Sequence, residues 1–141
     1  MKKLLGIMLL ALLTNCSSDT PINSCFNHSI APISLDLNTP QLNGLLTPNG
    51  TAEISGSSRN IVLFNKGTGG SFTPYVAIDR ECPSKDCSTP MIINPPVLEC
   101  SCDNSKYSML NGSIIKGTNN CEGGAKLYNV SQNGSSLQIS N

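Results

Sequence analysis

The sequence predicts an all-β domain, chiefly because its apolar residues follow the period of strands. They alternate with polar residues over three segments, 33–37, 127–130 and 137–139, as half-buried strands require. Two continuous apolar runs, 61–64 and 75–78, are typical of strands buried on both faces. Because no segment shows a 3.6-residue apolar period of useful length, we expect no substantial helix.

Turn-forming residues separate these segments. Asn-Gly pairs begin at Asn43, Asn49, Asn111 and Asn133, and such pairs supply the positive φ angles of tight hairpins. The run Gly67-Thr-Gly-Gly70 lacks the lysine and the helix of a phosphate-binding loop, so it predicts a hairpin tip. The expected structure is therefore a series of short strands joined by turns.

The N-terminus has the features of an export signal. Lys2 and Lys3 precede an apolar run over 4–13, which is shorter than the ~20 residues that span a bilayer as a helix. The run ends in Leu13-Thr-Asn-Cys16, which resembles a bacterial lipobox. We therefore expect a lipoprotein signal peptide over 1–15 and lipidation of Cys16; the alternative is an ordinary secretory signal with an incidental cysteine.

Residues 16–29 are rich in Ser, Asp, Asn and Pro, as expected of a tether between a lipid and a domain over 30–141. Two or more acyl chains on Cys16 would anchor the chain stably in a membrane. The predicted location is the bacterial cell envelope, in the periplasm or on the cell surface.

Charge and composition exclude nucleic acid as a partner. Loss of residues 1–15 leaves seven basic and nine acidic residues, a net charge near −2. The chain has six aromatic residues and no tryptophan, so it offers neither a basic patch nor a stacking surface. The remaining ~126 residues fit one domain.

Six cysteines remain if Cys16 carries lipid. An even number in an exported chain predicts a disulfide framework, because extracytoplasmic compartments are oxidising. Spacing alone does not choose among the fifteen possible pairings of six cysteines. The six are Cys25, Cys82, Cys87, Cys100, Cys102 and Cys121.

Four of these cysteines lie in two motifs that resemble the boxes of Rieske iron–sulfur proteins, C-x-H-x-x-C and C-x-C-H-G. The motifs here are Cys82-Pro-Ser-Lys-Asp-Cys87 and Cys100-Ser-Cys102-Asp103. In the family, the first cysteine and the histidine of each box bind a 2Fe–2S cluster, and the other two cysteines form a disulfide. The resemblance makes Cys82 and Cys100 the ligand cysteines and Cys87 and Cys102 the disulfide pair.

Neither histidine of the family motif is present. Ser84 and Asp103 occupy the two positions. The run from Asp103 to Gly112 is similar to the family's H-G-S-x-F-x-x-x-x-G, with Tyr107 at the aromatic position. The similarity spans the chain from Ile30 onward, and it is close to small lipoproteins of Bacteroidetes bacteria that have C-x-C-D in the second box.

The resemblance implies an architecture and a set of disulfides. The fold would be a Rieske-like antiparallel β sandwich, with a base over 30–79 and 112–141 and a small inserted subdomain over 80–111. It implies a Cys87–Cys102 bond, and loss of the metal implies a Cys82–Cys100 bond. Cys25 and Cys121 then remain as the third pair.

We expect no metal or cofactor. A serine hydroxyl is a poor ligand, and the Asp103 carboxylate is a hard oxygen where this site requires imidazole. The only histidine, His28, lies in the predicted tether, so a catalytic triad is not expected either. The alternatives are a 2Fe–2S cluster with altered ligands, and zinc or redox-active thiols at the four cysteines.

Three functions remain open at this point. The first is a lipid-anchored, non-enzymatic binding or structural module whose partner is a protein or an envelope ligand. The second is a Rieske-type 2Fe–2S electron carrier with altered ligands, and the third is a thiol/disulfide protein. The sequence does not identify the partner or the oligomeric state.

Overall fold

The computed structural model describes residues 25–54, 57–67, 73–117, 121 and 123–141. The predicted signal peptide, Cys16 and most of the predicted tether lie outside the described residues. The described chain contains ten strands and one 3₁₀ helix, Pro40–Leu46. The strands are β1 Ile33–Asp36, β2 Thr51–Ile54, β3 Ile61–Asn65, β4 Tyr75–Asp79, β5 Ile92–Asn94, β6 Val97–Glu99, β7 Lys106–Ser108, β8 Ile114–Lys116, β9 Leu127–Asn133 and β10 Ser136–Ser140.

The strands form two antiparallel sheets, which confirms the predicted all-β class. The larger sheet has six strands in the order β1-β10-β9-β4-β3-β2, and the smaller has four in the order β5-β6-β7-β8. In the larger sheet β4 pairs with β9 in the register Ala77 to Tyr128. The small sheet therefore comes from the stretch of chain between two neighbouring strands of the large sheet.

The small sheet extends further along the chain than predicted. The expected subdomain ended at residue 111 and assigned later residues to the base. However, β8 pairs with β7 in the small sheet, which therefore continues to Lys116. The turn between β7 and β8 contains Gly112, whose φ is 72°, so the Asn111-Gly112 pair closes a hairpin, as expected.

Strand β3 is buried on both faces, which explains its continuous apolar run. Val62 and Phe64 pack in a core with Tyr107 of the small sheet. Ile61 and Leu63 point the other way, into a second core beside the 3₁₀ helix. The cysteine-bearing loops belong to the first core, so their position is set by packing against β3 and β4 as well as by their own turns.

One Asn-Gly prediction is wrong. The pair Asn43-Gly44 lies inside the 3₁₀ helix rather than in a hairpin. Leu42 and Leu45, three residues apart, are both buried, and this apolar pair favours a helical turn at this point. A Cβ on Gly44 would lie 2.0 Å from the carbonyl oxygen of Thr51, so close backbone contact requires the glycine.

Two other turn predictions can be compared with the structure. Asn133-Gly134 closes the β9–β10 hairpin, with Gly134 at φ 59° and Ser136 paired to Asn133. β3 and β4 are paired antiparallel neighbours, and Gly67, two residues after β3, has a φ of 71°. The predicted tip at Gly67–Gly70 lies largely outside the described residues.

Candidate functional site

The two cysteine motifs lie on loops at one end of the small sheet. Cys82 and Cys87 are in the loop that joins β4 to β5, and Cys100 and Cys102 are in the loop that joins β6 to β7. Arg80 and Met91, at the two ends of the first loop, are hydrogen-bonded to each other. The Arg80 carbonyl accepts from the Met91 N–H at 2.6 Å, and Arg80 Nε donates to the Met91 carbonyl at 3.0 Å. The sheet therefore presents both motifs side by side.

All six expected cysteines lie in pairs at disulfide-bonding distance, and the pairs are the three that were expected. The Cα–Cα distances are within the range usual for disulfides, about 4.4–6.8 Å. The pairs are Cys82–Cys100 at 5.6 Å, Cys87–Cys102 at 6.0 Å and Cys25–Cys121 at 5.5 Å.

The two loop pairs form one sulfur cluster. The Sγ atoms of Cys87 and Cys100, which belong to different pairs, lie 3.7 Å apart. The sulfurs of Cys82, Cys87 and Cys100 all lie within 4.8 Å of one another. These three residues are buried in the first core, whereas Cys102 is exposed. The cluster thus has an apolar interior and a single exposed member.

Ser84 and Asp103 are engaged in shaping the loops. The Ser84 N–H donates to the Cys82 carbonyl at 2.7 Å, and the Ser84 carbonyl accepts from the Cys87 N–H at 3.3 Å. Oδ1 of Asp103 accepts from the N–H of Ser105 at 2.9 Å and from its hydroxyl at 2.6 Å. Asp103 therefore forms an Asx turn that holds the second loop.

These residues do not fit a Rieske cluster. A Rieske site needs two thiolates on one iron and two imidazoles on the other. Here the two ligand-position cysteines, Cys82 and Cys100, are placed to bond to each other, and the carboxylate of Asp103 already accepts two hydrogen bonds. No mechanism that passes through a cluster follows from this arrangement.

A second polar cluster, which the sequence analysis missed, surrounds Asp79 at the end of β4. Asp79 is 1% exposed. Its Oδ2 accepts from the Tyr128 hydroxyl at 2.7 Å and from Arg59 Nε at 3.2 Å, and lies 3.0 Å from His28 Nε2. Its Oδ1 accepts from the Glu81 N–H at 2.9 Å. We call these five residues the Asp79 cluster. The sequence signal that could have indicated it is an acidic residue directly after the apolar run 75–78.

The Asp79 cluster attaches the segment before β1 to the domain. Phe26 is buried and packs edge-on against His28, with ring centroids 5.9 Å apart. Lys126 donates to the His28 carbonyl, and Cys25 pairs with Cys121. Among the described residues, 25–28 therefore contact the domain, although the sequence analysis assigned them to the tether.

The arrangement of His28, Asp79 and Glu81 does not make a metal site. Their ligand atoms lie within 4.8 Å of one another. However, Arg59 forms ion pairs with both carboxylates, through Nε to Asp79 at 3.2 Å and through its terminal nitrogen to Glu81. Because a guanidinium already neutralises the two carboxylates and would repel a cation, the cluster is an internal ion-pair network.

The environment of Tyr128 predicts a loss of stability in alkali. The pKa of the Tyr128 hydroxyl lies well above its ordinary value near 10. Burial is the larger cause, and the hydrogen bond to the Asp79 carboxylate is the second. Above about pH 10 the tyrosine therefore ionises in the unfolded chain before it does in the folded one, and the free energy of unfolding falls as pH rises. The contribution of one proton is about 1.4 kcal/mol per pH unit.

The test is urea unfolding of the wild type and Tyr128→Phe between pH 8 and pH 11. The variant cannot ionise here, so we expect its stability to fall less steeply than that of the wild type above about pH 10. Subtracting the two curves cancels the contributions of lysines and of the other tyrosines. Equal slopes for the two proteins in this range would contradict the prediction.

The fold and the site together define the chain as an all-β domain with three cysteine pairs at bonding distance. A comparison with models of known protein families finds no match, and neither does a comparison with curated protein sequences. Among the described residues, no helix has the length and apolar character needed to cross a membrane.

Proposed function

We propose that this protein is a lipid-anchored, non-enzymatic domain of Rieske-like architecture that carries no cluster. Its two cysteine loops, held together by disulfides, form a surface that binds a protein or another ligand of the cell envelope. The observation that carries the proposal is the pairing of Cys82 with Cys100, the two ligand-position cysteines. A cysteine sulfur in a disulfide is not a thiolate, so it does not ligate iron.

The local backbone supports the Rieske-like part of the proposal. The family run H-G-S-x-F-x-x-x-x-G has glycine at the positions of Asn104 and Gly112. Both residues have left-handed backbone angles, with φ of 56° and 72°. Asparagine is among the few non-glycine residues that adopt this conformation readily. Tyr107, at the aromatic position, is fully buried in the first core.

The topology offers a second line of support. Each cysteine motif follows a strand, β4 in one case and β6 in the other, and the small sheet lies between β4 and β9 in the chain. A cluster-binding subdomain inserted into a larger β domain would have this arrangement. The resemblance and the strand order thus favour the same architecture from independent observations.

The loops are suited to binding a polar partner. Exposed residues 85, 86, 88 and 89 of the first loop and 101–104 of the second are mostly polar or charged. The Cys87–Cys102 pair joins the two loops. Cross-linked loops lose little conformational entropy when they bind, so a surface of this kind gains affinity from being preorganised.

The proposed anchor is close to the domain. Cys16 is the predicted lipidation site, and Cys25, nine residues further along, is paired with Cys121 of the domain. Nine residue steps span at most about 30 Å when fully extended. We therefore place the domain within about 30 Å of the membrane surface, on the periplasmic side or on the outside of the cell.

Iron analysis and visible absorption of the native protein test this proposal. We expect a colourless protein without stoichiometric iron or acid-labile sulfide, because neither box supplies an imidazole and the two ligand-position cysteines, Cys82 and Cys100, are bonded to each other. The matched variant Ser84→His with Asp103→His, reconstituted under reducing conditions with iron and sulfide, should bind more iron than the wild type treated in the same way. Stoichiometric iron with sulfide-to-iron charge-transfer bands in the native wild type would replace the proposal with the electron-carrier function.

A further inference from the structure

The two disulfide pairs of the sulfur cluster differ in their access to solvent. Cys82 and Cys100 are 2% and 0% exposed, so a thiol in solution cannot reach either end of that pair. In the other pair Cys87 is 7% exposed, whereas Cys102 is exposed at the surface of the second loop. Of these two pairs, only Cys87–Cys102 therefore has an exposed end, Cys102, at which an incoming thiolate can attack.

The sulfur that such an attack releases already touches the next disulfide. Attack on Cys102 makes Cys87 the leaving thiolate. Its Sγ lies 3.7 Å from the Sγ of Cys100, which is van der Waals contact for two sulfur atoms. The core around it contains Phe64, Met91 and other apolar side chains. A thiolate in these surroundings is poorly solvated, which favours its reaction with a neighbouring sulfur.

We infer that this cluster is a thiol-capture site in which two disulfide exchanges follow one another. In the first, an external thiolate bonds to Cys102 Sγ, the Cys87–Cys102 bond breaks, and the electron pair leaves on Cys87. In the second, the Cys87 side chain rotates into line with the Cys82–Cys100 bond and its thiolate bonds to Cys100 Sγ; the Cys82–Cys100 bond breaks, and Cys82 leaves as a thiolate that takes up a proton. The number of disulfide bonds stays constant, with one of them now joining Cys102 to the incoming thiol.

The second exchange has a consequence for the captured group. A mixed disulfide on Cys102 is normally resolved when the released partner, Cys87, attacks it again. Once Cys87 is bonded to Cys100, this route is blocked until the exchange reverses. The captured thiol therefore remains on the exposed loop, covalently attached to the surface that we propose for partner binding. The substrates are small-molecule thiols and exposed cysteines of other proteins.

The variant Cys102→Ser tests the second exchange directly, because it leaves Cys87 as a thiol beside the intact Cys82–Cys100 pair. The oxidised variant is quenched in acid and digested with pepsin at acid pH, where thiolates are scarce, and its disulfide-linked peptides are identified by mass. We expect Cys87–Cys100 peptides in roughly one tenth of the molecules or more, with Cys82 reduced. A smaller fraction, with Cys82–Cys100 retained and Cys87 reduced, would overturn the inference.

The matched control is Cys121→Ala, which leaves Cys25 as an unpaired thiol outside the sulfur cluster. Its Cys82–Cys100 and Cys87–Cys102 pairs should stay as they are. If this variant rearranges to the same extent, the exchange is general scrambling and the inference fails.

Treatment of the wild type with reduced glutathione tests the first exchange and does not depend on a variant folding. We expect glutathione on Cys102, together with the Cys87–Cys100 bond and a reduced Cys82. Glutathione mainly on another cysteine, or on Cys102 with Cys82–Cys100 intact, would contradict the sequence of steps. The iron analysis tests the proposed function separately. A protein that contains no iron but shows no disulfide exchange would support the proposed function and contradict this inference.

Discussion

Replacing Asp79 with alanine should lower the free energy of unfolding by about 3–5 kcal/mol, because it removes the buried carboxylate that accepts from Tyr128 and Arg59, and one hydrogen bond to a charged group is worth roughly 1.5–3 kcal/mol. Asp79 is 1% exposed, and its Oδ2 lies 2.7 Å from the Tyr128 hydroxyl, 3.0 Å from His28 and 3.2 Å from Arg59. Without the carboxylate, Tyr128 and His28 lose the acceptor they share, and Arg59 keeps only Glu81. A loss of this size is a large part of the ~5–15 kcal/mol that stabilises a typical domain.

Equilibrium unfolding in urea measures this loss. Asp79→Asn keeps the volume and one side-chain oxygen, so its stability should lie between those of the wild type and Asp79→Ala. If Asp79→Ala does not fold, the urea unfolding of Asp79→Asn tests the prediction in its place. Asp36→Asn is the matched control, because Asp36 is exposed and its carboxylate accepts hydrogen bonds from Asn38 and Ser135, which are exposed as well. Asp36→Asn should lower the free energy of unfolding much less than Asp79→Asn does. Equal losses at the two aspartates would refute the role of the Asp79 cluster.

Removing the Cys25–Cys121 pair, with Cys25→Ala and Cys121→Ala together, should cost about 4 kcal/mol. The two cysteines are 96 residues apart. In the chain-entropy account, closing a loop of ~100 residues restricts the unfolded chain by about 4.7 kcal/mol, and measured losses are usually 2–5 kcal/mol. The bond also holds the segment that contains Phe26 and His28 against the domain. Its loss should therefore weaken the packing of Phe26 on His28 and the contact between His28 and Asp79.

The matched comparison is the Cys87→Ala, Cys102→Ala double variant, whose cysteines are only 15 residues apart. The same account gives about 3 kcal/mol for a loop of that length. Urea unfolding of the three oxidised proteins should therefore rank the wild type first, the variant without Cys87–Cys102 second and the variant without Cys25–Cys121 last. A reversed order of the two variants would show that loop closure does not dominate. Thiol titration of the denatured, unreduced wild type supplies the reference, since two free thiols among these six cysteines would rule out one of the pairs.

The strand pattern was readable because it depends on neighbouring residues. The run 61–64 became the buried strand β3, and the alternation at 137–139 became part of β10. Asn133-Gly134 closed a hairpin because strands of matching apolar pattern flank it on both sides. Asn43-Gly44 has the same two residues, yet it lies in a 3₁₀ helix, because Leu42 and Leu45 pack into the second core and Gly44 meets the backbone of Thr51.

The boundary of the small sheet could not be read in this way. From the sequence we expected it at residue 111, just before Gly112, the last residue of the run that is similar to the family motif. Residues 114–116 are exposed and carry no strong pattern of their own. They join the small sheet because β7 offers them a backbone edge to pair with. Hydrogen bonds between strands have no side-chain signature, so the boundary depends on which strand lies nearby.

Local pattern in the sequence by itself determined the all-β class and the positions of five of the six strands of the larger sheet. The tertiary structure alone decided that His28 lies beside Asp79, 51 residues further along the chain, and that Cys87 touches Cys100 across two disulfide pairs. Periodicity reports whether a residue faces the core or the solvent, and it contains no information about which distant residue lies opposite. Those contacts exist because the pairing of β4 with β9 and the packing of the small sheet on β3 and β4 bring remote segments together, and that arrangement is a property of the whole chain.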